Sequence, residues 1–235
     1  EIGSGLVGSE MCIRDRSKIT AHSGCDGMPD NSMEFVRYAL GSEGDCFEVD
    51  IRRNRNEELI LSHDESTEMA VKLSQVFELL KERPDKKINC DLKSPGLEVP
   101  VYQLAREYKV ENQLIYSGAV SVSFMETRLE KHSEVQVYWN IENLIPETDL
   151  RRNINMKQIE QAFHTAVNYS AQCINMEYHM FTDKIIELLK SIGLGSSAWT
   201  VNEPEDLQKL MKKGITNITT RNLKTALAIR KEMEG

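Results

Sequence analysis

Ile88-Asn89-Cys90-Asp91-Leu92-Lys93 is a short apolar run whose last residues turn ionisable. Three stretches upstream share its plan: Ile19-Thr20-Ala21-His22-Ser23-Gly24, Phe47-Glu48-Val49-Asp50 and Leu59-Ile60-Leu61-Ser62-His63-Asp64. Runs of this length and character read as β-strands. A buried strand end has no need of a charge, so charges that recur there require a reason. In an α/β barrel the carboxyl ends of the strands form one rim, and that rim carries the active site.

Working outward, strands are expected at 18–22, 45–50, 88–93, 113–117, 135–139, 173–177, 197–201 and 216–220, with 58–62 as an extra strand after the second. Helical periods fall between them. Met33, Val36 and Leu40 share a face, with Asn31 placed to cap and Glu34 to close a capping box. Leu73, Val76, Phe77 and Leu80 follow the same spacing, as do Val101, Leu104, Ala105 and Tyr108, and Phe181, Ile185, Leu188 and Ile192. Leu207, Leu210 and Met211 line another helix, Gly214 fits its C′ position, and Leu223, Ala226 and Leu227 mark the last. Alternation repeated this often implies parallel strands with helical crossovers, and eight units imply a closed (β/α)8 TIM barrel in a single domain, residues 18–235. The rival, a doubly wound open sheet, lacks support from any GxGxxG or Walker loop. Residues 141–155 read as a charged connection.

The chain has 235 residues, a normal length for one such barrel. Its net charge of −8 argues against a nucleic-acid partner. No apolar run approaches the ~18 residues of a transmembrane segment. The five cysteines are odd in number and lack CxxC spacing, so free thiols in a reducing cytoplasm are expected. Residues 1–17 are expected to be a non-native or disordered leader; Val7–Arg16 resembles sequencing-adaptor read-through.

Glu48 and Asp50 are two apart, so on a strand they share a face. Turned inward, they would place two negative charges together unless a cation sits between them. Asp91 ends the next barrel strand and offers a third carboxylate. Such an all-oxygen set favours Mg²⁺ or Ca²⁺ over zinc. The alternative is that Glu48 and Asp50 face outward and pair with Arg52, Arg53 or Lys93. His22 and His63 suit proton transfer near neutral pH, and phosphodiester cleavage needs two such transfers. Lys93 is placed to hold a phosphate oxygen, or to form a rim salt bridge. Trp199 is placed to wall a pocket, or to lie in the core. Arg221, after the last strand, is a further cation with a weak signal.

Taken together, these pieces resemble the glycerophosphodiester phosphodiesterase family, as a divergent short member. His22-Ser23-Gly24, Asp30-Asn31-Ser32, Glu48-Val49-Asp50 and His63-Asp64 follow the order of that family's His-Arg-Gly, Glu-Asn-Thr, Glu-x-Asp and His-Asp. Asp91-Leu92-Lys93 matches its later carboxylate–x–Lys strand, Trp199-Thr200-Val201-Asn202 matches identically, and Gly214–Thr220 matches loosely. The resemblance implies a TIM barrel, a divalent cation on Glu48, Asp50 and Asp91, acid/base catalysis by His22 and His63, and substrate contacts from Lys93, Trp199 and position 23. It implies hydrolysis of a small phosphodiester to an alcohol and glycerol phosphate, within glycerol and lipid metabolism. Three departures stand out. Ser23 replaces an arginine that contacts phosphate in the family. The interval between His63 and Asp91 is short. The usual Thr-Asp-x-Pro ending is Thr220-Arg221-Asn222-Leu223. A phospholipase-D-like cyclising phosphodiesterase and an inactive phosphodiester-binding module are the alternatives.

Overall fold

The structure, a computed structural model, describes residues 16–65, 70–146 and 155–234. Nine strands form one sheet: β1 (Lys18–Ala21), β2 (Cys46–Arg53), β3 (Leu59–Leu61), β4 (Lys87–Leu92), β5 (Leu114–Gly118), β6 (Gln136–Asn140), β7 (Cys173–Glu177), β8 (Gly195–Trp199) and β9 (Asn217–Thr220). Eight of them pair in parallel and close through β1–β2 and β1–β9, while β3 adds to β2 as an antiparallel ribbon. The expected TIM barrel is therefore present, including the extra strand. Eight α-helices surround it among the described residues: α1 (Met33–Gly41), α2 (Leu73–Leu80), α3 (Glu98–Tyr108), α4 (Val122–Lys131), α5 (Met156–Asn168), α6 (Asp183–Ser191), α7 (Pro204–Lys212) and α8 (Leu223–Glu234).

Alternation along each strand sorts the side chains into two populations. One set, with Ile19, Ala21, Phe47, Val49, Ile51, Ile88, Cys90, Leu92, Tyr116, Val137, Trp139, Ile174, Met176, Ala198 and Ile218, packs outward against the helices as the main core. Each fully buried large side chain there contributes about 1.5–3 kcal/mol. The other set faces the barrel interior and is layered. Cys46, Ile115, Tyr138 and Cys173 form a small apolar floor. Above it come Thr20, Asn217 and Ser197, joined by Thr20 Oγ1–Asn217 Oδ1 (2.7 Å) and Asn217 Nδ2–Ser197 Oγ (3.0 Å) bonds. One step higher the interior opens into a cavity. Branched aliphatic residues usually fill this volume in such barrels; here carboxylates and amides occupy it.

The helices use the faces their periodicity implies, with two adjustments. Ser32, not Asn31, caps α1: Ser32 Oγ accepts the Phe35 N–H. Asn31 sits at φ 49°, a left-handed conformation that asparagine tolerates better than most residues, and its amide is spent elsewhere. On α6 the buried residues are Ile185, Ile186 and Leu189, a stripe rotated from the expected one. Outside the barrel, fully buried Arg128 on α4 donates to the carbonyls of Val135 (2.7 Å) and Ser170 (2.6 Å), stapling α4 to the chain around β6 and β7.

Arg16 pairs with Asp45 (3.0 Å), and Ser17 is buried with its hydroxyl donating to the Ile215 carbonyl. Glu147, Asp149, Arg151 and Arg152 of the expected charged connection lie outside the described residues. No described helix is long and apolar enough to cross a membrane.

Candidate active site

The cavity, about 550 Å³, opens at the carboxyl ends of the strands. Parallel register sets its acidic wall: Glu48 lies beside Asn89, and Asp50 beside Asp91, across the β2–β4 pair. One carboxylate oxygen from each of Glu48, Asp50 and Asp91 lies within 4.8 Å of the other two. Both Glu48 and Asp50 are 5% exposed, so the inward orientation holds.

The three carboxylates are held differently. Glu48 Oε2 accepts the Ser23 N–H (3.1 Å). Burial, then the charges of Asp50 and Asp91, push its carboxyl well above the ordinary carboxylate range. Asp50 also suffers burial, but the Lys93 ammonium (2.7 Å) and the Asn31 amide outweigh it and hold its pKa low. Asn31 bonds Asp50 twice, Nδ2–H to Oδ2 (2.7 Å) and Oδ1 from the Asp50 N–H (3.0 Å). Asp91 accepts from Ser117 Oγ (2.9 Å) and from Lys93. Three crowded, largely buried carboxylates make an oxygen-rich cradle, a donor set that fits a hard divalent cation.

His22 follows β1, 23% exposed at the side chain, with Nδ1 3.7 Å from Glu48 Oε2. Nδ1 lies 2.9 Å from the Ser23 carbonyl. A carbonyl only accepts, so Nδ1 carries the proton in the neutral ring and Nε2 keeps its lone pair. Burial, with the Arg221 charge, lowers the His22 pKa below 6.5 against the opposing pull of the Ser23 carbonyl. His63 lies across the cavity mouth after β3, largely exposed, with Nδ1 2.9 Å from Asp64 Oδ1. Arg52 Nε donates to the His63 carbonyl (2.9 Å) and fixes its backbone.

Lys93 and Trp199 both line the cavity, with the Lys93 ammonium bridging Asp50 and Asp91. Ser23 does not reach it. The residue is 1% exposed, and its hydroxyl accepts the Asn31 N–H (2.7 Å). Several lining residues were given no site role by the sequence: Asp30, quoted only as part of a motif, and Asn89, Asn140, Asn175, Gly118 and Thr219. Asn140 Oδ1 accepts from the Gly118 N–H (3.0 Å) and from Asn175 Nδ2 (2.9 Å), a linked amide wall opposite the carboxylates. Asn89 Oδ1 and Trp199 Nε1 are buried without a hydrogen-bond partner among the described residues. The signal for the amides was their position two residues from an interior neighbour, on the same face. His132 stacks on Phe124 and His179 pairs with Glu177, both outside the cavity.

No family model matches the chain. Two curated proteins do, both named glycerophosphodiester phosphodiesterase. The one from Caldanaerobacter subterraneus subsp. tengcongensis is 20% identical, over 90% of this chain and 97% of its own length. The one from Bacillus altitudinis is 21% identical, over 93% and 100%. Among solved structures, a glycerophosphodiester phosphodiesterase from Parabacteroides distasonis superposes with a TM-score of 0.72 at 15% identity, covering 94% of this chain and 100% of that one. An Oleispira antarctica phosphodiesterase in complex with the product sn-glycerol-3-phosphate gives 0.70 at 14% identity, covering 92% and 97%. The chain is thus similar almost end to end, in sequence to two curated proteins named glycerophosphodiester phosphodiesterase and in fold to solved structures of that name.

Proposed function

We propose that the protein is a phosphoric diester hydrolase that cleaves a small glycerophosphodiester to an alcohol and glycerol phosphate. The observation that carries this reading is the meeting, in one rim cavity, of a three-carboxylate cradle with two histidines and two cations. Among the charged residues lining the cavity, four carboxylates (Asp30, Glu48, Asp50, Asp91) against Lys93 and Arg221 leave a formal −2. An anionic diester is repelled by that field, and a divalent cation cancels it. When bound on Glu48, Asp50 and Asp91, Mg²⁺ or Ca²⁺ supplies positive charge where phosphate charge develops.

The chain's own groups do the proton work. His22, neutral with Nε2 free, takes the proton of the attacking hydroxyl. As the phosphorus–oxygen bond to the alcohol breaks, His63, paired through Nδ1 with Asp64, delivers a proton to the leaving oxygen. Trp199 offers a flat wall, and Asn89, Asn140 and Asn175 offer amides, to the glycerol and alcohol portions. The curated relatives' names and the Oleispira antarctica product complex support the substrate class. On this reading the enzyme serves glycerol and lipid turnover. The four described cysteines are free and buried, which supports a reducing compartment such as the cytoplasm.

The test is hydrolysis of bis-p-nitrophenyl phosphate and glycerophosphocholine in Mg²⁺, Ca²⁺ or EDTA, beside His22→Ala. Cation-dependent turnover that vanishes in the variant is expected. Folded protein with no turnover in any cation sinks the reading. Phosphorus NMR of the products separates attack by water from attack by the substrate's own hydroxyl, which yields a cyclic phosphate.

A further inference from the structure

We propose that Arg221 is the phosphate anchor of this cavity, gripping a non-bridging oxygen of the substrate with the part of its guanidinium that Asp30 leaves uncovered. The inference deepens the function just proposed and rests on it.

Four observations converge. First, the backbone at Arg221 is pinned from two sides. Its N–H donates to Asn202 Oδ1 (2.9 Å) in the loop after β8, and its carbonyl accepts the Asp26 N–H (2.7 Å) in the loop after β1. The side chain therefore starts from a fixed point on the rim. Second, the side chain lines the cavity beside His22 and is 42% exposed. Third, Asp30 Oδ1 holds Nη1 at 2.9 Å. The pair lies directly over Gly24: a Cβ at that position would come within 2.2 Å of Asp30 Oδ1 and 2.9 Å of Arg221 Nη1. Gly24, in the left-handed region at φ 75°, thus leaves the space in which the guanidinium is oriented.

Fourth, the other candidates for the task are committed. Ser23 is buried, and its hydroxyl accepts from Asn31. The Lys93 ammonium is shared between Asp50 and Asp91. Arg52 is engaged with the His63 carbonyl. Among the described residues Arg221 has a single carboxylate, Asp30, on a planar fork of five donors, a geometry suited to phosphate oxygens. A cation arriving from the last strand thus does from one side of His22 what Ser23, adjacent to His22 in sequence, cannot.

The experiment titrates inorganic phosphate into the Mg²⁺-loaded protein by calorimetry, for wild type, R221Q and R221K. KM for glycerophosphocholine and the melting midpoint are measured alongside. R221Q is expected to weaken phosphate binding roughly ten- to hundredfold and to raise KM in step, with the midpoint unchanged. R221K is expected to recover part of both. Phosphate affinity in R221Q equal to wild type overturns the anchor, as does a wild type that binds no phosphate. Should R221Q unfold, R221K carries the decision: wild-type affinity and KM in R221K refute the need for a fork. The two readings fail separately. Arg221-dependent phosphate binding without diester cleavage keeps the anchor and removes the activity. Cleavage with KM and phosphate affinity indifferent to R221Q does the reverse.

Discussion

Removing one negative charge from the acidic cradle should make the cation-free protein more stable and cation-blind. Take Glu48→Gln. Like charges within 4.8 Å of each other repel by at least about 3–4 kcal/mol at an effective dielectric near 20. Glu48 faces two such neighbours, Asp50 and Asp91, whose charges are partly cancelled by Lys93. A net relief of about 1–3 kcal/mol remains. Glutamine keeps an oxygen for the Ser23 N–H, so the hydrogen bond that positions residue 48 survives. For a domain of this size, that relief raises the melting midpoint in EDTA by roughly 2–10 °C. The effect depends on pH in a fixed direction. Because the folded protein raises the Glu48 pKa, its contribution is fully present below the unfolded carboxylate value and is lost as pH rises through the folded value. Wild type in EDTA should therefore lose stability on going from acid to alkaline pH, and Glu48→Gln should lose less. Adding Mg²⁺ or Ca²⁺ at about a hundred times its dissociation constant should stabilise wild type by about 2.7 kcal/mol, and Glu48→Gln hardly at all. Differential scanning calorimetry at several pH values, with EDTA and with each cation, decides the matter. A variant that melts below wild type in EDTA at pH 8, or that gains as much from the cation, refutes the crowded-carboxylate account.

The remaining predictions concern the histidines and the rim backbone. His22→Ala and His63→Ala should each lower kcat by about 10²–10⁴ with the melting midpoint preserved; steady-state kinetics showing either loss below tenfold removes that histidine from proton transfer. Since burial and Arg221 lower the His22 pKa, its base form persists in mild acid, and the acid limb of the kcat/KM profile should lie below pH 6.5; a limb above pH 7 contradicts the assignment of His22 as base. Gly118→Ala should cost about 1–3 kcal/mol, because Gly118 adopts φ 74° and a Cβ would meet Leu92 O at 2.4 Å and Asp91 Oδ1 at 2.5 Å. The same clash should blunt the cation-induced rise in melting temperature, and an unchanged rise would show that Asp91 tolerates displacement.

Which parts of this architecture were readable in advance follows from the range over which each residue's role is decided. The barrel strands were readable because their outward faces are apolar and the ends of the early ones are ionisable, both local signals. β8 was expected at 197–201 and lies at Gly195–Trp199, since Gly195-Ser196-Ser197 carries no apolar mark. Gly195 is there because a Cβ would sit 2.4 Å from Gln172 O, a constraint set by the neighbouring strand. α5 went unassigned although Ile159, Ala162, Phe163 and Ala166 keep helical spacing. Two of those four are alanines, too small to lift a hydrophobic stripe above its charged surroundings. α4 hid for the opposite reason: its exposed face carries Val122 and Leu129, while the residue it buries most completely is Arg128. The same logic governs the site. Ionisable residues at strand ends announced the acidic wall, but nothing local distinguishes Asn31 as a brace for Asp50 from Asn31 as a cap. Both are ordinary roles for asparagine, and only the approach of β2 selects the first while Ser32 takes the second. Arg221 is the extreme case. Its side chain acquires direction from Asp30 and room from Gly24, residues at the other end of the chain that become neighbours only when β9 closes the barrel against β1. Closure of the sheet therefore does more than remove edges: it juxtaposes the first and last strand ends, and a cation missing from one can be supplied by the other.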